Sequence, residues 1–147
     1  MTLPASFPMS MSQIATELGL SLPLSISDPW VLALAGKSAL PVSFSDLLGQ
    51  TARPNFNATP SSDGTFMQFS APFFRGVANQ FSMAVNVLLP VALGFSTAPN
   101  WSGKIIIRNN STGNAITLTK HDAVTWTGNG DIMRGGVNDN WTLSPSN

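Results

Sequence analysis

The single histidine is the first side chain to consider as a catalytic residue. His121 lies directly between Lys120 and Asp122. A serine–histidine–carboxylate triad places the serine and the carboxylate on opposite ring nitrogens of the histidine, whereas neighbouring residues of an extended chain point in opposite directions. The spacing therefore favours a solvent-exposed histidine in a turn over a catalytic one.

The acidic residues are few and scattered. Glu17 is the only glutamate, and nothing in the sequence places an aspartate beside it to form the carboxylate pair of a glycosidase. Asp131, Asn138, Asp139 and Asn140 carry oxygen atoms suited to calcium, but their spacing is not that of a calcium-binding loop, and Asp and Asn also form turns. We predict a protein that is not an enzyme and that holds no cofactor or metal.

The tryptophans indicate a second kind of chemistry, the binding of sugars. Trp101 follows Asn100, and Trp141 follows Asn140. An exposed indole ring can stack on a sugar while a neighbouring amide bonds to its hydroxyl groups, so Trp101, Trp141 and Asn140 are candidate ligand contacts. The alternative is that these rings anchor the core or a subunit interface. Trp126 fits the core because it continues an alternating apolar pattern.

Composition narrows the class of protein. The 147 residues include seven Lys or Arg, seven Asp or Glu and no cysteine. This balance gives no electrostatic reason to expect a nucleic acid or a membrane as partner, and a surface poor in charge tends to associate with other proteins. The sequence has neither the pattern of a signal peptide nor an apolar run long enough to span a bilayer. We therefore expect a soluble protein made in a cytoplasm.

A repeat in the first fifty residues organises the elements that position these side chains. The phrase Pro-apolar-Ser-apolar-Ser occurs three times, each time before a short apolar run that stops at a glycine. The copies are Pro8-Met9-Ser10-Met11-Ser12, Pro23-Leu24-Ser25-Ile26-Ser27 and Pro41-Val42-Ser43-Phe44-Ser45, with Gly19, Gly36 and Gly49 after them.

The repeat predicts short strands and helices of one or two turns. Proline favours an extended start, and alternating apolar and serine positions suit a strand with one buried face. The second serine of each copy can cap a helix, which the glycine then ends. In the second copy Asp28, before Pro29, is an equally good cap.

Helices this short are not stable alone in water, so their apolar faces must lie against another surface. Each large apolar side chain that becomes buried contributes about 1.5–3 kcal/mol. The surface is the rest of the same chain, a sister subunit or a foreign protein. The functional interpretation is a docking module, whose predicted interface comprises Met9, Met11, Ile14, Leu18, Leu24, Ile26, Trp30, Leu34, Phe44 and Leu47.

The pattern changes after residue 50. Residues 51–64 are rich in turn-forming residues, and we predict that they link a docking segment, residues 1–50, to a β domain, residues 65–147. Short apolar or alternating runs separated by turns predict strands at 66–69, 81–87, 91–95, 104–108, 116–119, 124–126 and 141–143. The chain is therefore predicted to be mainly β, with an antiparallel β-sandwich after an N-terminal segment of short strands and helices.

Five groups of residues follow one another in a fixed order in the N-terminal segment. They are Met9-Ser10-Met11-Ser12-Gln13-Ile14, Glu17-Leu18-Gly19, Leu24-Ser25-Ile26-Ser27-Asp28, Leu34-Ala35-Gly36 and Val42-Ser43-Phe44-Ser45-Asp46-Leu47-Leu48-Gly49. In that order they resemble a segment of virion proteins of tailed bacteriophages, often described as tail proteins. Leu48 stands where that pattern commonly has an arginine. The sequence pattern of residues 103–110 and 113–118, followed by Trp126, resembles that of β-sandwich domains of phage fibres and baseplates.

The two resemblances imply a structural protein of the tail, baseplate, fibre or neck of a virion, assembled in the host cytoplasm. We expect residues 1–50 to dock on other virion structural proteins. Residues 65–147 are expected to build a homo-oligomer, a trimer by analogy with phage appendages. The alternative is a module on the virion surface that binds a host receptor or a carbohydrate through exposed Trp, Asn and Asp.

Overall fold

The computed structural model describes residues 2–83 and 91–147. Two short helices, α1 (Met11–Leu18) and α2 (Pro29–Ala35), and a 3-10 helix at Phe44–Asp46 precede the strands. The described strands are β1 (Asn55–Ala58), β2 (Phe66–Phe73), β3 (Gly76–Ser82), β4 (Val91–Thr97), β5 (Lys104–Asn109), β6 (Ala115–Asp122), β7 (Thr125–Gly128) and β8 (Asp139–Ser146). The prediction of a mainly β chain with short N-terminal helices is confirmed.

Side-chain caps define where the helices begin. The Oγ atom of Ser10 accepts from the backbone N–H of Gln13 at 3.3 Å, and the side chain of Gln13 accepts from the N–H of Ser10 at 2.7 Å, which forms a capping box. Asp28 caps α2 by accepting from the N–H of Trp30 at 2.9 Å. In the first and third copies the N-cap residue is the first serine, Ser10 or Ser43, and not the second one as predicted.

The predicted short strands are not present in residues 2–50. In each copy of the repeat the two serine hydroxyls instead hydrogen-bond to each other, at 2.9, 2.7 and 2.6 Å. Residues two apart in a strand are separated by about 6.6 Å along the chain, too far for such short side chains to meet. The backbone therefore bends at each phrase, and the serines bond locally.

The strands form one antiparallel sheet that is nearly barrel-shaped, in the order β1-β8-β5-β6-β7-β4-β3-β2. The first and last strands of this order, β1 and β2, lie next to each other. There Phe56 of β1 stacks on Phe69 of β2, with ring centroids 4.4 Å apart. Strand β1 lies inside the predicted linker, where residues 55–58 pair with residues 139–142 of β8. Strand β2 continues through Pro72, beyond its predicted end, and a proline is tolerated there because β2 is the last strand of the order.

The predicted strand at residues 81–87 can be followed only in part. Phe81 and Ser82 belong to β3, which pairs with both β2 and β4. The predicted strand positions at residues 84–87 and the predicted break at Pro90 lie outside the described residues.

One hydrophobic cluster joins the N-terminal helices to the sheet. Buried side chains of α1 and α2 belong to the same cluster as buried side chains of β2, β5, β7 and β8, including Ile14, Leu34, Phe73, Ile107, Trp126 and Trp141. The prediction that Trp126 is a core residue is confirmed. Because burial of each large side chain contributes about 1.5–3 kcal/mol, the helices are held in place by the core of their own chain.

Candidate functional site

The surface of the N-terminal segment carries three large apolar side chains at equivalent positions. Phe7, Leu22 and Leu40 are 57%, 55% and 54% exposed, and each directly precedes the proline that begins a copy of the repeat. We call them the pre-proline residues. Among the described residues, the only other large apolar side chains with high exposure are Val124 and Val137, at 39% each. Exposed apolar surface is therefore concentrated at one position of the repeat.

The core of the chain uses apolar residues that lie two positions after the pre-proline residues, but not the pre-proline residues themselves. Two positions further on, the first apolar residue of each phrase is buried or half-buried: Met9, Leu24 and Val42. The serines of the phrases are exposed. Each copy thus directs its first apolar residue toward the core, while the residue before its proline stays exposed to solvent.

Half of the predicted docking interface is inside the protein. Met9, Ile14, Leu18, Leu34 and Leu47 are at most 7% exposed and belong to the core. The prediction that these five side chains face a partner needs correction, because atoms of their own chain already cover them. The other five predicted contacts are half-buried and remain accessible in part: Met11, Leu24, Ile26, Trp30 and Phe44.

Sequence reasoning missed the pre-proline residues as candidate contacts, although a signal was present. The alignment of the three copies extends one residue further toward the N-terminus, where Phe7, Leu22 and Leu40 keep an apolar side chain in every copy. The linear pattern does not say that these three positions lie in solvent. Only the packing of the neighbouring residues in the fold decides that.

The hairpin between β2 and β3 fastens the N-terminal segment to the sheet. Its central residues, Phe74 and Arg75, have φ values of 44° and 68°, and positive values at both positions match the twist of adjacent strands. The N–H of Phe74 donates to the carbonyl of Thr51 at 2.8 Å, and its carbonyl accepts from the N–H of Asn100 at 2.8 Å. The guanidinium of Arg75 donates to the carbonyl of Asp46 at 3.1 Å. The hairpin thereby contacts two other parts of the chain, residues 46–51 and the loop that follows β4.

A cleft of about 520 Å³ lies between α2 and the loop that follows β4. The side-chain amide of Asn100 donates to the carbonyl of Ala33 at 2.9 Å, which holds the loop against α2. Trp30 and Trp101 meet edge to face, with ring centroids 5.1 Å apart. The ring N–H of Trp30 donates to Oδ1 of Asn147 at 3.2 Å. These bonds fix the two walls of the cleft relative to each other.

Two of the predicted sugar contacts are not exposed. Trp141 is fully buried, and its ring N–H donates to the carbonyl of Ala58 at 3.3 Å. Trp101 lines the cleft but is only 6% exposed, with the ring of Phe74 4.5 Å away. Neither indole can present a face to a sugar, which corrects the prediction. Trp30 is the more accessible ring of the cleft because it is only half-buried.

The third predicted sugar contact, Asn140, belongs to an asparagine network that links strands. Its amide nitrogen donates to Oδ1 of Asn55 at 2.8 Å and to Oδ1 of Asn57 at 2.9 Å. Its own Oδ1 accepts from Asn55 at 2.9 Å and from Asn110 at 2.8 Å. Because the amides bond to one another, Asn140 stabilises the pairing of β1 with β8 and is not a free ligand contact.

The other polar candidates have local structural partners. Asp139 is buried and bonds to the guanidinium of Arg134 and, at 2.8 Å, to the amide of Asn109. Asp131 accepts from the backbone N–H of a turn, and His121 is exposed at the end of β6, in a strand and not in the predicted turn. Within residues 2–83 and 91–147, no group of three or more His, Cys, Asp or Glu side chains is placed to hold a metal ion.

In the described part of the chain, no helix has the length and apolar character needed to cross a membrane. No protein-family model, curated protein or solved structure matches this chain. The fold and its surface thus define a class in physical terms: a mainly β protein whose repeated N-terminal segment packs on the sheet and keeps three apolar side chains in solvent.

Proposed function

We propose that this protein is a non-enzymatic structural component of a tailed-bacteriophage virion and that it docks on neighbouring virion proteins through its N-terminal segment. The observation that carries the proposal is the exposure of Phe7, Leu22 and Leu40 at one equivalent position of three repeat copies. Burial of each such side chain against a partner contributes about 1.5–3 kcal/mol. The resemblance of the repeat to segments of phage virion proteins supplies the kind of assembly, in the tail, baseplate, fibre or neck.

The docking surface differs from the one that the sequence predicts. The contacts come from the pre-proline residues together with half-buried neighbours such as Leu24 and Phe44. The buried residues of α1 and α2 act indirectly, because they hold the segment on the core and so keep the docking surface in a fixed shape. A chain with only fourteen charged residues offers little electrostatic resistance to such association.

A triple variant of the pre-proline residues tests the docking. In phage that encode Phe7→Ser, Leu22→Ser and Leu40→Ser together, we expect the amount of this protein in purified particles to fall at least about tenfold, equivalent to about 1.4 kcal/mol of lost contact. Quantitative mass spectrometry of the virions measures it. The matched control is Val124→Ser with Val137→Ser, which removes exposed apolar groups elsewhere. Equal incorporation of both variants, or absence of the wild-type protein from particles, would refute the proposal.

The proposal includes a homo-oligomer, with a trimer favoured by analogy with phage appendages. Light scattering coupled to size-exclusion chromatography gives the mass of the assembly directly. We expect a mass of three chains at micromolar concentration, and a monomer at all concentrations would remove this part of the proposal while leaving the docking test intact.

A second candidate function is the binding of a host receptor or a carbohydrate on the virion surface. The observation that favours it is the cleft beside α2, whose walls combine the half-buried Trp30 with amide and ammonium groups.

A further inference from the structure

The cleft between α2 and residues 98–103 has the size of a small-molecule site. Its volume of about 520 Å³ lies within the range of about 300–1,000 Å³ found for such sites. We propose that it binds a saccharide that carries an acidic group, either a carboxylate or a phosphate. This inference rests on the second candidate function above and gives it a ligand class. It is distinct from docking at Phe7, Leu22 and Leu40, because none of the three pre-proline residues lines the cleft.

The aromatic wall of the cleft is rigid. Trp30 is held by its edge-to-face contact with Trp101, at 5.1 Å between centroids, and by the bond from its ring N–H to Asn147 at 3.2 Å. Trp101 is fixed in turn by the bond from its ring N–H to the carbonyl of Lys104 at 2.9 Å. A rigid indole offers apolar contact area at a low cost in conformational entropy. The exposed part of Trp30 is therefore suited to pack against the C–H groups of a sugar ring.

The charged side chains that line the cleft have one sign. Lys37 and Lys120 are exposed and line it, and no described lining residue is Asp or Glu. The ammonium of Lys120 lies 3.3 Å from the carbonyl of Trp101 and 5.3 Å from the centroid of the Trp126 ring, so its position is defined. The backbone N–H of Ser43 lowers the pKa of Asp46, and the charge of Lys37 adds to this effect. No ion pair joins Lys37 to Asp46 among the described residues. Two ammonium groups in one cleft match a ligand with one acidic group.

Neutral hydrogen-bonding groups complete the chemistry of the cleft. Asn100 uses its amide nitrogen to bond to Ala33, and within residues 2–83 and 91–147 nothing donates to its Oδ1 in the structure. The hydroxyl groups of Ser38 and Ser102 lie in exposed residues of the same lining. Amide and hydroxyl groups next to an indole suit the hydroxyls of a sugar. A polyanion such as a nucleic acid is disfavoured because two lysines neutralise few phosphates.

The test compares acidic saccharides with neutral counterparts on the folded full chain. Glucuronic acid, glucose 6-phosphate and, as the neutral counterpart, glucose are each titrated into the protein. The indole N–H signals of Trp30 and Trp101 are followed by NMR. An array of immobilised uronic-acid, sialic-acid and phosphosugar glycans, each with its neutral match, extends the same comparison to larger ligands. We expect saturable shifts at Trp30 with the acidic sugars and weak or no shifts with glucose.

Charge variants show whether binding occurs in this cleft. Lys37→Ala and Lys120→Ala are each expected to weaken binding of the acidic saccharides about tenfold, the effect of losing one hydrogen bond to a charged group. The matched control is Lys104→Ala, an exposed lysine that does not line the cleft, and it is expected to bind like the wild type. Trp30→Leu is expected to abolish binding, and the lysine variants keep the test valid if that variant folds poorly.

Three results would overturn the proposal. The first is equal binding of acidic and neutral saccharides, and the second is binding that survives both lysine substitutions. The third is a lack of binding to every acidic glycan on the array. The Lys37→Ala variant is expected to enter virions normally, so failure of saccharide binding and failure of virion docking can be told apart.

Discussion

Glu17 at the end of α1 accepts a hydrogen bond from the backbone N–H of Ala52, with 2.7 Å between Oε1 and the nitrogen. The same oxygen accepts from the N–H of Arg53 at 2.9 Å. The side chain is buried, and its second oxygen, Oε2, has no hydrogen-bond partner among the described residues. This carboxyl therefore ties α1 to the chain that leads into β1, and burial raises its pKa above the ordinary value of 4.5.

Two substitutions of Glu17 distinguish the contribution of its hydrogen bonds to stability from the effect of its buried charge. Glu17→Ala is expected to lower the free energy of unfolding by about 1–3 kcal/mol, because it leaves the N–H groups of Ala52 and Arg53 without their acceptor. Glu17→Gln keeps an acceptor oxygen and avoids burying a charge, so its stability at neutral pH is expected to equal or exceed that of the wild type. Urea denaturation at pH 7 measures both variants.

The pH dependence of the Gln variant gives a second measurement. A carboxyl with a raised folded-state pKa contributes stability that is full below its unfolded pKa, near 4.5, and is lost as the pH rises through the folded pKa. The stability of Glu17→Gln relative to the wild type is therefore expected to increase over this range and then level off. A relative stability that decreases with pH would contradict a raised pKa at Glu17.

Asp139 shows the opposite shift. The guanidinium of Arg134 holds the pKa of this buried carboxyl below its ordinary value of 3.8, and the amide of Asn109 adds to the effect. Its contribution to stability is present above the unfolded pKa and is lost as the pH falls through the folded pKa. Asp139→Asn is expected to lower the free energy of unfolding at pH 7 by about 1.5–3 kcal/mol.

The loss from Asp139→Asn is expected to shrink as the pH falls from 3.8 toward the lower folded-state pKa, because the wild-type carboxyl takes up a proton first in the unfolded chain and only then in the folded protein. The matched control is Asp131→Asn, an exposed site where an amide oxygen can still accept from the N–H of Met133. Its effect is expected to stay within about 0.5 kcal/mol. Equal losses at both sites would show that the pair with Arg134 does not stabilise the fold.

The sequence predicts the elements whose signals are local. The helices follow from a cap at one end and a glycine at the other, as in α2 between Asp28 and Gly36. Strands such as β5 and β8 follow from alternating or β-branched runs between turns. In the first and third copies the pattern predicts the cap one serine too late, since serines two apart are equally good candidates until the backbone bends. In the second copy the cap is Asp28, one of the two caps that the sequence predicts. Helix ends and strand segments of this kind can be predicted without knowledge of the tertiary fold.

What the sequence does not reveal depends on contacts between distant residues. Strand β1 has only four residues among turn formers, and it is a strand because it pairs with β8 more than eighty residues later. The sequence places Trp101 and Trp141 beside asparagines and so suggests exposed rings, but both are buried. The ring of Trp101 packs on Phe74, and the ring N–H of Trp141 donates to the carbonyl of Ala58. For the same reason the predicted docking face differs from the exposed one: the pre-proline residues are exposed, and half of the predicted contacts are buried.

Two glycines test how the copies of the repeat end. Gly36 and Gly49 have nearly the same φ, 74° and 70°, but a Cβ on Gly36 would lie 2.7 Å from Cδ of Arg75, whereas one on Gly49 would meet nothing within 4 Å. Gly49→Ala is expected to cost about 1–2 kcal/mol, the strain of a left-handed L-residue. Gly36→Ala is expected to cost more, because it also displaces Arg75 from the carbonyl of Asp46. Thermal unfolding of the two variants gives the comparison, and equal losses would mean that Arg75 moves aside freely.

The shared core predicts that the N-terminal segment and the sheet unfold together. Ile14 of α1 and Ile107 of β5 are both fully buried and belong to one hydrophobic cluster. Ile14→Ala and Ile107→Ala are each expected to lower the free energy of unfolding by about 2–5 kcal/mol, and each is expected to shift one common transition, because a single core makes the whole chain one cooperative unit.

Hydrogen exchange and fluorescence monitored during urea unfolding distinguish a common transition from two separate ones. Amides of α1 and of β5 are expected to lose protection at the same urea concentration in the wild type and in both isoleucine variants. Phe7→Ala is the control, since an exposed side chain that does not contact the core is expected to leave the midpoint unchanged. If Ile14→Ala released α1 while β5 stayed protected, the segment would be an independent docking arm, and the fixed docking surface inferred from its buried residues would have to be abandoned.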